Sequence, residues 1–176
     1  MRLEIQAHGG NDRLTLRRVL AAGPSSVTID VGGTGLTIER ALTLADDVRV
    51  VLAAPATPLP RELARVVRPY LDRVAVASFD ERVLDEIGDF RTVETTLLFS
   101  RPLRVATAAR TIGPRQDLVC RELVDSAHAL GLRVVPWTVN DVRRMVELVD
   151  LGVDGLVTDE PALARAVAQA RLSAAA

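Results

Sequence analysis

Lysine is absent from this 176-residue chain, and all 22 of its cationic side chains are arginine. No residue can therefore form a Schiff base, hold a phosphate as the lysine of a P-loop does, or make the lysine contact of a protein kinase. A genome rich in Arg and Ala codons accounts for the bias, because Arg keeps its charge and serves most surface roles of Lys. Cysteine is nearly absent too: the lone Cys120 excludes disulfide frameworks, Cys-rich zinc sites and Cys-x-x-Cys redox chemistry. No run approaches the roughly 18 apolar residues of a membrane helix, and Met1-Arg2-Leu3-Glu4 enters a strand pattern, not a secretory leader. A formal charge of −1, with 26% charged and 48% hydrophobic residues, argues against a disordered tail and against a nucleic-acid footprint. The expectation is one cytoplasmic domain over residues 1–172 with a frayed tail at 173–176, neither membrane-inserted nor bound to nucleic acid.

What is present is an alternation of short β-branched runs with segments of 3.6-residue periodicity, the signature of βα units on a parallel sheet. Strands are expected at 2–7, 26–31, 48–53, 73–77, 92–99, 133–138 and 153–158, with helices at 14–22, 37–46, 61–71, 117–130, 141–151 and 160–170 and another from the Asp80 N-cap through Ile87. Gly32-Gly33-Thr34-Gly35 reads as a flexible turn, 54–60 as a proline-rich loop, and Pro60 as a helix start. Gly131 and Gly152 close their helices as left-handed caps. Residues 101–113 carry no amphipathic helix, only a short strand around 109–112, so the architecture is missing an element or distorted there. About eight units suit an α/β fold of the (β/α)₈ TIM-barrel type with short loops, with a doubly wound open sheet as the alternative. The glycine turn is not a G-x-G-x-x-G pattern, which counts against a dinucleotide-binding sheet.

The final third holds the most specific pattern: Trp137-Thr138-Val139-Asn140, a helix, then Gly152-Val153-Asp154-Gly155-Leu156-Val157-Thr158-Asp159-Glu160-Pro161. Upstream stand Ala7-His8-Gly9-Gly10, Ser78-Phe79-Asp80 and Ala127-His128-Ala129-Leu130-Gly131. In this order the segments resemble the glycerophosphodiester phosphodiesterase family over nearly the whole chain. The resemblance implies a TIM barrel and hydrolysis of glycerophosphodiesters by two histidines around a divalent cation, Mg²⁺ or Ca²⁺. Such chemistry wants a hard cation, cationic side chains and a proton shuttle beside an anionic transition state.

Carried over position by position, the resemblance makes His8 the first catalytic histidine and puts Trp137 at the pocket floor. The arginine that follows the histidine in the family is Gly9 here, and the glutamate of its Glu-Asn-Thr segment has no counterpart, though Thr15 fits the threonine. The metal-binding Glu-x-Asp pair becomes Thr28-Ile29-Asp30, and the Glu-x-Lys of the third strand becomes Ala53-Ala54-Pro55. The hairpin that supplies the second histidine looks deleted after Val31, and His128, the only other histidine, falls on a helix. The expected function is thus a non-hydrolytic pseudoenzyme that binds a small phosphate- or glycerol-containing ligand or a partner. The alternatives are a residual phosphodiester hydrolase of lipid metabolism using His8 and Asp30, and an oligomerising scaffold. No cofactor is expected, since Asp30 as a metal ligand lacks partner carboxylates.

Each candidate also has a plainer reading. His8 could be a strand-end histidine bonded to nearby backbone, Asp30 a structural acid, and Trp137 a core residue. Asn140, a candidate ligand contact, could be a turn residue beside an Asp141 N-cap. Asp154 and Asp159 read as loop and cap acids, His128 as a helix-end cation, and Cys120 as a small buried residue within its helix. Glu94, alternating with Thr96 on a strand, could be an inward substitute acid.

Overall fold

The computed structural model describes residues 3–8, 12–31, 36–54, 65, 67–88, 93–102 and 107–174. Its strands are β1 Glu4–His8, β2 Ser26–Asp30, β3 Arg49–Ala54, β4 Val74–Ser78, β5 Glu94–Phe99, β6 Thr111–Pro114, β7 Arg133–Val134 and β8 Gly155–Thr158. Six helices lie among the described residues: α1 Arg13–Ala21, α2 Ile38–Ala45, α3 Glu81–Gly88, α4 Arg121–Ala129, α5 Val142–Leu151 and α6 Pro161–Ala174. The glycine turn 32–35, the loop 55–60 with its Pro60 helix start, and most of the helix expected at 61–71 fall outside the described residues; positions 65 and 67 are helical. None of the described helices is long and apolar enough to cross a membrane.

All neighbouring strands pair in parallel, in the order β7-β6-β5-β4-β3-β2-β1-β8. Backbone bonds then join the two ends: Asp154 N donates to Val134 O (2.9 Å), Val157 N to Pro136 O (2.9 Å) and Val139 N to Val157 O (2.8 Å). The sheet is therefore a barrel, and the open doubly wound alternative falls away. β7 is shorter than the expected 133–138: beyond Val134 single bonds still run to β6, from Val135 N to Ile112 O (2.9 Å) and Trp137 N to Pro114 O (3.1 Å), but Pro136 has no N–H to offer the β8 side. Pairing resumes one residue on, where Trp137 bridges Arg115. The weak stretch before residue 113 does contain its strand, shifted to Thr111–Pro114.

Strand alternation sorts the side chains. Val27, Ile29, Val50, Leu52, Val74 and Val76 face outward onto Leu16, Val19, Ala41, Leu42 and Ala45 of α1 and α2. Ile5, Ile112, Val134 and Leu156 face Val124, Ala127, Met145, Leu148 and Ala164 of α4, α5 and α6. Each such aliphatic side chain contributes roughly 1.5–3 kcal/mol on burial. The complementary positions fill the interior, where Val51, Ala75 and Ala77 meet Leu98.

At the N-terminal end of the strands the interior is ionic. Ser26 Oγ donates to Glu4 Oε1 (2.9 Å), Arg133 pairs with Glu4, and Arg49 pairs with Glu94. Burial works against the Arg133 charge, but the hydrogen bond to Glu4 and the charges of Glu4, Glu94 and Asp154 outweigh it and hold the guanidinium above its ordinary pKa. Glu94 is accordingly a floor residue bound to Arg49, at the start of its strand and away from the barrel mouth, and not a substitute acid there. His128 lies on the same side: its Nε2 is 2.9 Å from Asp154 Oδ2, which also accepts from Val134 N (2.8 Å). The Ala-His and Gly-Val-Asp-Gly segments are thus fastened to each other beneath the barrel.

Two expected helix ends move. α4 starts at Arg121, not 117, because residues 115–119 are held by distant partners: Arg115 N bonds Phe99 O (2.8 Å), Gln116 N bonds Trp137 O (3.0 Å), and Arg144 donates to Gln116 O and Val119 O. Cys120 consequently sits at the N-cap and is exposed, not buried inside the helix. α6 runs through Ala174, so Ser173 and Ala174 prolong the helix that was expected to have given way to a frayed tail. Gly131 and Gly152 do take left-handed φ, 73° and 89°.

Gly155 lies tightly against β1, since a Cβ there would lie 2.8 Å from the Glu4 carbonyl oxygen and 2.9 Å from Glu4 Cβ. Because the obstacle is partner backbone, Gly155→Ala must displace β1 from β8. The expected loss is about 1–3 kcal/mol, read from urea unfolding; a variant as stable as the parent would refute the contact.

Candidate functional site

The C-terminal ends of barrel strands are where inward side chains meet solvent, and loops there can vary without disturbing the core. Continuing the alternation that sends Ile5 and Ala7 outward puts His8 on the inner side at the end of β1. The same count places Asp30 at the end of β2, Ala53 near the end of β3, Phe79 after β4, Leu98 on β5, Arg115 after β6, Trp137 beyond β7 and Asp159 after β8. The mouth therefore collects residues from all eight strands.

His8 stands between two carboxylates. Its Nε2 is 3.8 Å from Asp30 Oδ2 and its Nδ1 is 3.6 Å from Asp159 Oδ1. These separations exceed a hydrogen bond, and all three side chains are nearly half exposed, so the contacts are worth little to stability. Chemically they matter more: each ring nitrogen has a carboxylate beside it, which makes His8 the centre of an acid–imidazole–acid group at the mouth.

Asp159 was expected to cap α6. Instead Thr158 Oγ1 accepts from Glu160 N (3.0 Å) in the turn before the helix, and Asp159 is drawn toward Asn140. Asn140 Oδ1 accepts from Thr158 Oγ1 (3.1 Å) and Asp159 N (2.9 Å), while its Nδ2 donates to Asp159 Oδ2 (2.7 Å). Asn140 thus clasps the Trp-Thr-Val-Asn segment to the Thr-Asp segment and sets the carboxylate that faces His8. Its neighbour Asp141 caps α5, accepting from Arg144 N (2.9 Å).

Trp137 Nε1 donates to Gly113 O (2.6 Å), and its ring meets Phe79 edge to face, with centroids 5.4 Å apart and planes at 89°. Phe79 is 53% exposed although apolar, so the pair forms an aromatic platform reaching across the mouth. Sequence reasoning singled out Trp137 but missed Phe79, Asp159 and Arg115. The Ser-Phe-Asp and Thr-Asp-x-Pro segments held the first two; Arg115 lies in no motif. Arg115 grips Asp117 bidentately, Nε to Oδ1 at 2.6 Å and Nη2 to Oδ2 at 2.7 Å. That side-chain hydrogen bond raises the arginine's pKa and holds Asp117 below the usual carboxylate value.

Residues 60–163, more than half of the chain, match the model of the glycerophosphoryl diester phosphodiesterase family. The chain belongs to this family. A glycerophosphodiester phosphodiesterase from Caldanaerobacter subterraneus is 26% identical over 112 residues, covering 58% of this chain and 46% of that protein. The match thus spans less than half the length of the curated relative. Among solved structures, a glycerophosphodiester phosphodiesterase from Parabacteroides distasonis superposes with a TM-score of 0.83 at 17% identity, covering 97% of this chain and 98% of that one. An Oleispira antarctica phosphodiesterase in complex with the product sn-glycerol-3-phosphate superposes with a TM-score of 0.78 at 16% identity, covering 94% and 96%. At these identities the superpositions establish the barrel.

Among the described residues the donors around His8 do not fit the divalent cation that the family resemblance implies. Mg²⁺ and Ca²⁺ take about six to eight oxygen ligands. Here Asp30 and Asp159 approach different nitrogens of the His8 ring, so the imidazole lies between the carboxylates. Among the described residues no group of three or more His, Cys, Asp and Glu side chains is arranged to hold a metal ion.

If Asn140 is the clasp, Asn140→Ala frees the Thr158-Asp159 end of β8 and costs about 1 kcal/mol in thermal unfolding. It also shifts the His8 imidazole resonances in NMR spectra, because Asp159 loses its anchor. Unchanged His8 resonances would break the proposed link between Asn140 and His8.

Proposed function

We propose that this family member binds a small glycerol phosphate-type ligand at its barrel mouth and does not hydrolyse it. The observation that carries the reading is the position of the two histidines. His8 lies at the mouth, while His128, the only other histidine in the sequence, is fastened to Asp154 beneath the barrel. Hydrolysis of a phosphodiester needs water deprotonated as it attacks phosphorus and a proton delivered to the departing alkoxide as the P–O bond breaks. One imidazole serves one of these tasks at a time, and loss of a positioned proton donor commonly costs about 10²–10⁴ in rate.

The remaining losses run the same way. The family's phosphate-binding arginine and lysine positions are Gly9 and Pro55, and Ala53 stands where it keeps a metal-binding glutamate. What persists suits binding: the Phe79–Trp137 platform for a carbon skeleton, and His8 and Asn140 as polar groups at the rim. A second reading, residual hydrolysis, is favoured by one feature, the carboxylates flanking His8. They could support His8 as a general base with Asp30 or Asp159 orienting it.

Calorimetry with sn-glycerol 3-phosphate is expected to give a binding isotherm that weakens in His8→Ala, without release of alcohol from glycerophosphocholine or bis-p-nitrophenyl phosphate in Mg²⁺ or Ca²⁺. Turnover that disappears in His8→Ala would establish the hydrolase reading and overturn this one.

A further inference from the structure

Asp30 and Asp159 stand beside His8 at the mouth, and a phosphate ligand entering there is met best by a cationic side chain. Among the described residues, Arg115 has the register of an inward position at the mouth and carries a permanent positive charge, while Arg82 and Arg101 line the cavity beside Phe79 and Leu98 from α3 and from the loop after β5. The direction of Arg115 follows from β6: Ile112 is buried outward against the helices, and Gly113 faces inward toward Leu98, Thr96 and Trp137. Arg115, two residues further, keeps that register through its N–H to Phe99 O (2.8 Å) and its bridge to Trp137.

The guanidinium is also held in a fixed plane. Nε and Nη2 donate to Asp117, which leaves Nη1 outside the pair, and the side chain is 48% exposed. The turn that carries Asp117 is tied to the segment after the neighbouring β7 by Gln116 N to Trp137 O (3.0 Å) and Gln116 Nε2 to Thr138 O (2.7 Å). A planar cation on a rigid support, with a free edge, suits recognition of phosphate oxygens.

We infer that Arg115 is the anion anchor of the mouth, taking a phosphate oxyanion on its free edge while Asp117 fixes the guanidinium. This rests on the proposal that the mouth takes a phosphate ligand. The anchor follows β6, whereas the family resemblance locates the phosphate-binding cations on the first and third strands.

Trp137, the chain's single tryptophan, is bridged to Arg115 and reports on the anchor. Its fluorescence, with calorimetry in parallel, is followed during titration with inorganic phosphate and with sn-glycerol 3-phosphate in the parent, Arg115→Gln and Arg115→Lys. The expected result is a Kd for both ligands raised about 10-fold or more in Arg115→Gln, the scale of a hydrogen bond to a charged group, and raised less in Arg115→Lys. Added salt weakens parental phosphate binding, and the thermal midpoints stay together. Parental affinity for phosphate in Arg115→Gln, or no phosphate binding by the parent, overturns the anchor. If Arg115→Gln fails to fold, Arg115→Lys with parental Kd values overturns it equally. Phosphate binding that depends on Arg115, with sn-glycerol 3-phosphate bound no more tightly than phosphate, supports the anchor while removing the glycerol phosphate reading. Tight sn-glycerol 3-phosphate binding that ignores Arg115 does the reverse.

Discussion

The interior of an eight-stranded barrel has room for side chains and little else, so each strand must divide its residues between that narrow space and the helix layer outside. Everything in this molecule follows from that division. Outward positions carry Val, Ile and Leu onto the helices; inward ones are small where space is least, as at Ala75, Ala77 and Gly113. Because the strands are parallel, position along each strand separates the inward residues again, into floor and mouth.

The same residue type then takes opposite roles at the two ends. Glu4 and Glu94 begin their strands and are paired to Arg133 and Arg49, neutralising a floor that would otherwise bury isolated charge. Asp30 ends its strand and Asp159 follows one; both are left near half-exposed His8, where their charge can act on a proton or a ligand. His128 and His8 part in the same way. One ties α4 to the start of β8 through Asp154, and the other stands open at the mouth.

Much of the fold could be read from the chain, because parallel strands covered on both faces leave near-continuous apolar runs and helices leave 3.6-residue stripes. The misreadings share a cause: a long-range bond outweighed a local preference. Residues 117–120 have helical composition, yet bonds from Phe99, Trp137 and Arg144 keep their backbone out of α4 and expose Cys120. Asp159 has the look of an N-cap, but Asn140, 19 residues away, claims it. For the site, motifs marked His8, Asp30, Trp137 and Asn140, whereas Phe79 and Arg115 acquire meaning only from what faces them.

The sequence by itself determined the alternating architecture, the absence of lysine chemistry, the count of two histidines and the family resemblance, since each depends on residue identity and order. Only the tertiary structure decided which end of the barrel each charge occupies. It brought Asp159 to His8, set Phe79 against Trp137 and turned Arg115 inward. The physical reason is that closure of the sheet pairs β8 with β1, which makes neighbours of residues more than a hundred positions apart such as Ala7 and Thr158, and with the segment around β7, and no local pattern encodes such contacts.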